Sequence, residues 1–519
     1  MELRKLFEEY LALEPEEGAT LGIATNEFRD PTLDGVAKRD AFYRRAIDAT
    51  EGEADLDARA LHRLACFERH LYDSGAHHKN PLWAGYAYTM LRYREARGES
   101  IAECVPKISA YLAADEARLD AARRSGSVAP APLLSYQTDV LFPAAASYLE
   151  DKDRFASAAF LRHRDFYQTE LLPAASDDGA LGADEYDARW GLSFPGAGPR
   201  ELVGRAAAVL RELQERILDV VRRLQPDDPP SGFPAAAEWA RELQSQTLAE
   251  GTDVRAHYQA VLRNVCEFVE ARKLFSVGDA LSELGMAEYP SGMDVGPGTN
   301  WPAPLLRAGQ KGQFVVQLDP ATHPSVWVPV LAIHEGIPGH FLQSWAFQRA
   351  FQHHEAPFRF LCVADDVAIP RGYFGAMLNI EGYAVYAEER MRRAGFHDDR
   401  GELFALIAHA VRAVRVIAEV GFHRRERDSE ETMHYVSQET GLPLRSAKFE
   451  VFRYQCAPLQ AVSYFAGAEE FFTLAEATTL PLPDFHQRLF DFGPVPPSEI
   501  GKRLSQQPAS VETSSKREA

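Results

Sequence analysis

The sequence predicts a mainly α-helical protein with a small β element beside a candidate active site. Three observations carry this. Apolar residues recur at helical spacing over most of the chain. One short run, GQFVVQLD (Gly312–Asp319), has clear strand chemistry. Directly after it comes LAIHEGIPGHFLQ (Leu331–Gln343), which holds a His-Glu pair and a second histidine.

Helical periodicity accounts for the body. The stretch ELVGRAAAVLRELQERILDVVRRLQ places Leu202, Ala206, Val209, Leu213, Ile217, Val220 and Leu224 on one stripe, the pattern of a helix with one buried face. Similar patterns recur near residues 55–73, 103–123, 153–168, 236–272, 325–350, 373–394, 401–423 and 458–478. Breaks fall at RSGSVAPAP, ASDDGALGADEYDARWGLSFPGAGP, QPDDPPSGFP and YPSGMDVGPGTNWPAP. The second and fourth are long for plain connections, and loops of that length often carry function.

The chain has 519 residues, of which 46% are hydrophobic and 25% charged, ample for a large core. We read it as an N-terminal helical region (1–230) packed against a catalytic region (231–500), followed by a disordered polar tail (505–519). The formal charge of -20 argues against a nucleic-acid or anionic-membrane partner. The expected partner is a small-molecule or short-peptide substrate. No run of eighteen apolar residues occurs, and the N-terminus has no secretory pattern. Five scattered cysteines without a C-x-x-C read as reduced thiols. A cytoplasmic location is therefore expected.

The spacing of His334 and His340 is unusual. Two histidines at i and i+4 lie within about 40° of each other around a helix and can share a metal, but at i and i+6 they are about 240° apart. Gly336, Pro338 and Gly339 relieve the problem, because proline removes a donor and clashes with the preceding turn. A deformed helix could return the second imidazole to the same side. One reading makes His334 and His340 zinc ligands and Glu335 the general base that activates water. The other is a kinked helix with two satisfied histidines, and a third ligand is needed to decide. In NIEGYAVYAEERM, Glu381 and Glu388 are seven apart and share a helix face. Glu381 sits among less polar neighbours, where a carboxylate needs a partner such as a metal. Glu388, Glu389 and Arg390 read as a solvated face.

These segments resemble the domain of unknown function 885 family, mostly bacterial proteins grouped with the gluzincin metallopeptidases. The family's HE-x-x-PGH-x-x-Q motif is matched from His334 to Gln343. Its EGWA-x-Y motif is matched by Glu381-Gly382-Tyr383-Ala384-Val385-Tyr386, with Tyr for Trp. Its R-x-x-R-x-x-x-D-T-G-x-H motif is matched by Arg412, Arg415, Gly421 and His423, with Glu419 for Asp and Val420 for Thr. Its R-Y-x-x-x-P-G-Q-A-x-S-Y motif is matched by Arg453, Tyr454, Pro458, Gln460, Ala461, Ser463 and Tyr464, with Leu459 for Gly. The start EPEEGATLGI is similar too, so the likeness runs from residue 1 to about 500. The resemblance implies a gluzincin-like helical body split by a deep cleft. It also implies a short sheet whose edge strand lies along the substrate, the place expected for Gly312–Asp319.

Arg412, Arg415, Glu419 and His423 form one polar stripe along an otherwise apolar helix. Buried charges must be paired, so the stripe reads either as an Arg–Glu network between helices or as arginines that grip a substrate carboxylate. Arg412, Arg415, Arg453 and Tyr454 are the substrate-binding candidates. Tyr464, and after it His423, are candidates for stabilising a developing oxyanion. The functional expectation is a zinc-dependent hydrolase of peptide or peptide-like amide bonds, with Zn2+ on His334, His340 and Glu381. A tailoring enzyme that acts on a non-peptide amide or ester through the same site is the alternative. A non-catalytic binding protein is the third reading, set against the presence of every proposed ligand.

Overall fold

The computed structural model describes residues 3–194, 196–289, 296–361 and 376–506. The expected tail is outside that set from residue 507 on, as is Cys362, while Cys66, Cys104, Cys266 and Cys456 are free thiols. The fold is mainly α with one three-stranded sheet. Among the described residues no helix is long and apolar enough to cross a membrane.

The elements that matter for the site are α1 (Pro199–Leu224), α2 (Val254–Arg272), β1 (Gly285–Glu288), β2 (Gly298–Trp301), β3 (Gln313–Val316), α3 (His340–Phe351), α4 (Met377–Arg393), α5 (Asp399–His423), α6 (Leu444–Cys456) and α7 (Gln460–Ala477). The stripe of α1 is buried at Leu202, Ala206, Leu213, Ile217 and Val220 as expected, while Val209 and Leu224 are only partly buried and Leu210 and Val221 join the core. The helix packs along α5. A large apolar cluster draws residues from Phe7 to Ile500 into one core. A smaller one gathers side chains between Ala19 and Leu171.

Two expectations about local structure are corrected. The pattern over 236–272 is two helices, Phe233–Leu243 and α2, because Gly251 takes a positive φ of 81° and Asp253 caps a fresh start by accepting from the Ala256 amide. The break at 175–199 contains a helix, Ala183–Ser193, with Tyr186 and Trp190 buried one turn apart. Two aromatic residues at that spacing were a helical signal among the surrounding glycines and aspartates.

The placement of the strand is corrected as well. β3 is found where expected but lies in the middle of the sheet, parallel to β1 and antiparallel to β2. Phe314, Val315 and Val316 are fully buried, and a strand with apolar residues on both faces belongs in a sheet centre. The edge strand next to the His-Glu segment is β2, GTNW, which carries little β signature of its own.

Helices α4 and α7 cross at a contact between two glycines. A Cβ on Gly382 would lie 2.5 Å from the Gly467 backbone, and one on Gly467 would lie 1.9 Å from the Leu378 carbonyl oxygen. Only hydrogen at both positions lets the two backbones approach this closely. Gly382→Ala is expected to force the helices apart and to destabilise the fold by about 1–3 kcal/mol. Denaturant unfolding of the variant checks this, and unchanged stability would refute the contact.

Candidate metal centre

The His-Glu segment does not form one regular helix. A helical turn at Val328–Leu331 widens into a five-residue π turn at Ala332–Gly336, and the chain becomes extended at Ile337. A cis peptide precedes Pro338, and α3 begins at His340. A Cβ on Gly339 would lie 2.0 Å from the His334 carbonyl oxygen, so the chain folds back on itself there. The two histidines thus sit at the end of one helical piece and the start of another. That is how a six-residue spacing brings their rings to 4.6 Å between centroids.

Glu381, from the second turn of α4, completes the group. Its Oε2 lies 3.3 Å from His340 Nε2 and 3.7 Å from His334 Nε2. Glu381 is 1% exposed, and this oxygen has no hydrogen bond. Oε1 accepts from Gln460 Nε2 at 3.1 Å, which fixes the carboxylate plane. Ligand atoms of His334, Glu335 and His340 also lie within 4.8 Å of one another. Two carboxylates are therefore in reach, and their surroundings separate them. Glu335 Oε2 accepts from the Asn300 amide of β2 at 2.9 Å while Oε1 stays 3.9 Å from His334 Nε2. Glu335 is thus tied to the sheet and partly exposed, whereas Glu381 is buried and aimed between the imidazoles.

The donor set fits a divalent cation. Tetrahedral zinc with bonds of about 2.0–2.1 Å holds its ligand atoms roughly 3.3–3.4 Å apart, near the separations of Glu381 Oε2 from the two Nε2 atoms. His334 Nδ1 is hydrogen-bonded to Glu388, which also accepts from Arg412 Nη2 at 3.0 Å. A carboxylate on Nδ1 fixes the ring and leaves Nε2 for a metal. His340 Nδ1 is buried without such a partner. Burial alone would lower the His334 pKa, but Glu388, Glu381 and Glu335 outweigh it and raise it to about 9. Burial would likewise raise the Glu381 carboxyl, yet the two imidazoles hold it well below the usual range.

Glu388 and Glu389 are thereby corrected from a solvated face to buried groups, 6% and 4% exposed, paired with His334 and Arg412 and with Arg392 and Arg393 respectively. The shared face of Glu381 and Glu388 was visible in their spacing. Other supporting residues gave no signal. Asn379 links Gln343 of α3 to the Val495 carbonyl, with Gln343 Nε2 donating at 2.8 Å. Asn300 contributes a backbone amide, and Glu450 a carboxylate to Arg415.

Of the other expected site residues, Tyr464 is in the centre. Its ring lies parallel to His334 at 6.0 Å, and its hydroxyl accepts from Gln460 Nε2 at 3.3 Å. Arg412, Arg415 and Arg453 surround the same ring. Arg415 is held by Glu450 through two bonds of 2.9 and 2.7 Å. His423 is placed elsewhere. It is fully buried, donates from Nε2 to the Tyr454 carbonyl at 2.9 Å, accepts from the Leu181 amide at Nδ1, and stacks on Tyr186. Burial lowers its pKa to about 3, so a neutral ring with both nitrogens engaged locks α5 to its neighbours. Tyr454 is also fully buried, with a phenol oxygen that has no hydrogen bond.

The family described as "Bacterial protein of unknown function (DUF885)" matches residues 15–504. No curated protein matches the chain. Among solved structures, "a putative lipoprotein of unknown function from Shewanella oneidensis" is similar at 16% identity and a TM-score of 0.74, over 97% of this chain and 98% of that one. "The putative lipoprotein from Colwellia psychrerythraea" is similar at 13% identity and a TM-score of 0.70, over 97% of both chains. At such identities the likeness is one of fold.

Glu419, beside His423, sets a pH dependence. It is fully buried and accepts from Tyr186 Oη at 3.1 Å and from the Leu459 amide. Leu459 has a φ of 78°, a conformation that favours glycine, and its side chain is fully buried. Burial pushes the Glu419 carboxyl up to about 8, from 4.5 when exposed. Between those values the folded protein keeps a proton that the unfolded chain has released. Stability is therefore expected to fall as pH rises through this window, by on the order of 5 kcal/mol. Glu419→Gln should remove that slope in denaturant unfolding at several pH values, and parallel slopes would exclude Glu419 as the source.

Proposed function

As the chain belongs to this bacterial family, we propose that it is a zinc-dependent hydrolase of peptide or peptide-like amide bonds in small substrates. The observation that carries the proposal is the convergence of His334 Nε2, His340 Nε2 and Glu381 Oε2 at separations of 3.3 and 3.7 Å, with Glu335 alongside. Two imidazoles and one carboxylate are a catalytic zinc set that keeps a coordination position open. When bound, the ion supplies Lewis acidity, polarising the scissile carbonyl and making water a stronger acid.

The chain's own groups have distinct tasks. Glu335 takes the proton of the attacking water and passes it to the leaving amine, with the Asn300 amide fixing its orientation. The Tyr464 phenol, oriented by Gln460 and by its stack on His334, donates to the developing oxyanion. Glu388 and Arg412 keep the His334 ring in place. The edge of β2 away from β3, where the Asn300 amide holds Glu335, would align an extended substrate beside the centre. A gluzincin-like cleft over this edge is part of the same proposal.

Metal analysis of the purified protein tests the reading. About one zinc per chain is expected in the wild type, lost in His340→Ala and Glu381→Ala while circular dichroism shows both still folded. Zinc that survives either substitution would identify the wrong ligands. Glu335→Gln should keep the metal but lower turnover of short peptides about 10²–10⁴-fold. Full metal with no peptide cleaved by the wild type would turn the proposal towards a non-peptide amide or ester.

A further inference from the structure

Three guanidinium groups crowd one phenol ring beside the metal centre. The Cζ atoms of Arg415, Arg453 and Arg412 lie 4.6, 5.4 and 5.8 Å from the Tyr464 ring centroid. Among the described residues, Glu450 and Glu388 are the carboxylates paired with these three cations, and Glu419 adds a further carboxyl group near Arg453. Glu450 is taken by Arg415, and Glu388 is shared between Arg412 and His334. Arg453 shares Glu450 as an ion pair and is the one of the three that hydrogen-bonds no carboxylate among the described residues. Its nearest carboxylate oxygen, Glu450 Oε2, is 3.6 Å from Nη2, outside hydrogen-bond distance. Its Nε and Nη2 are buried without a hydrogen-bond partner, although the side chain as a whole keeps 20% exposure.

Buried guanidinium donors without acceptors are costly. The group that satisfies a planar pair of N–H donors most fully is a carboxylate. Position narrows its source. The Tyr464 ring is parallel to His334 at 6.0 Å, and the Arg453 Cζ lies 5.4 Å from its centroid. At about 3.3–3.6 Å per extended residue, the Arg453 guanidinium lies within about three residues of a bond held at the metal centre.

We infer that Arg453 at the Tyr464 ring forms a carboxylate subsite that receives the free C-terminus of the substrate, so that the enzyme acts near chain ends on short acids. Arg412 and Arg415 are positioning residues, because each already donates to a carboxylate, Glu388 or Glu450, and leaves one buried nitrogen without a hydrogen bond where Arg453 leaves two. The inference deepens the hydrolase reading and rests on it for the placement of the scissile bond. The carboxylate subsite can be measured without any turnover.

The test is calorimetric binding of three probes to the full-length protein, zinc-loaded and chelator-treated. The probes are N-benzoylglycine, its amide, and N-benzoylaspartate 1-amide, whose only carboxylate is on the side chain. N-benzoylglycine is expected to bind at least about tenfold more tightly than its amide, as a charge-assisted pair implies. Arg453→Gln should abolish that preference. Arg453→Lys, which keeps the charge but loses the planar pair of donors, should retain part of it and serves if the glutamine variant does not fold. Equal binding of the acid and its amide, or an unchanged preference in Arg453→Gln, overturns the subsite. Equal binding of the side-chain acid overturns the assignment to a chain end. A missing zinc with the preference intact would defeat the hydrolase reading alone.

Discussion

A fully buried carboxylate between two imidazoles is the constraint on which the rest of the arrangement depends. Glu381 has almost no exposure and one oxygen without a hydrogen bond. Burial of such a group is unfavourable unless opposite charge is held close to it. The surrounding architecture supplies that closeness. Gln460 on α7 fixes one oxygen, and the glycine contact between Gly382 and Gly467 sets how near α7 can come. Gln343 and Asn379 tie the helix that carries His340 to the helix that carries Glu381.

The second requirement is a precise break in the chain between the histidines. A regular helix would place them on different faces. The π turn, the extended residue Ile337 and the fresh start at His340 replace six residues of helix with two short helical ends that meet. Gly339 is needed because a side chain there would strike the carbonyls of Ile333 and His334. Glu335 falls on the π turn and so faces the sheet, where the edge strand offers an amide to hold it.

The polar stripe on α5 is not an internally paired row. Arg412 reaches Glu388 on α4, Arg415 reaches Glu450 on α6, Glu419 receives the Leu459 amide and the Tyr186 hydroxyl, and His423 joins the Tyr454 carbonyl to the Leu181 amide. One helix thereby fixes several neighbours by polar contacts within an apolar interior, where unpaired groups are heavily penalised. The expectation of an Arg–Glu network between helices is met at Arg412–Glu388 and Arg415–Glu450. The C-terminal half of the stripe joins α5 to its neighbours through Glu419 and His423, and Arg412 and Arg415 do the same beside the Tyr464 ring.

Periodicity alone determined that this protein is helical, because a repeat of apolar residues at helical spacing must bury one face wherever the helix packs. The sequence also placed His334, Glu335, His340 and Glu381 together, since such groups in apolar surroundings require partners. Tertiary structure decided what spacing cannot express. Which strand lies at the sheet edge depends on long-range pairing, so β2 took the place expected of β3. Whether Glu388 faces water or His334 depends on which helix covers α4, and the charged neighbours Glu389 and Arg390 concealed the answer. His423 was drawn to Tyr186, the Leu181 amide and the Tyr454 carbonyl by the same logic. A residue's chemistry is local, but its partner is chosen by packing between elements far apart in the chain.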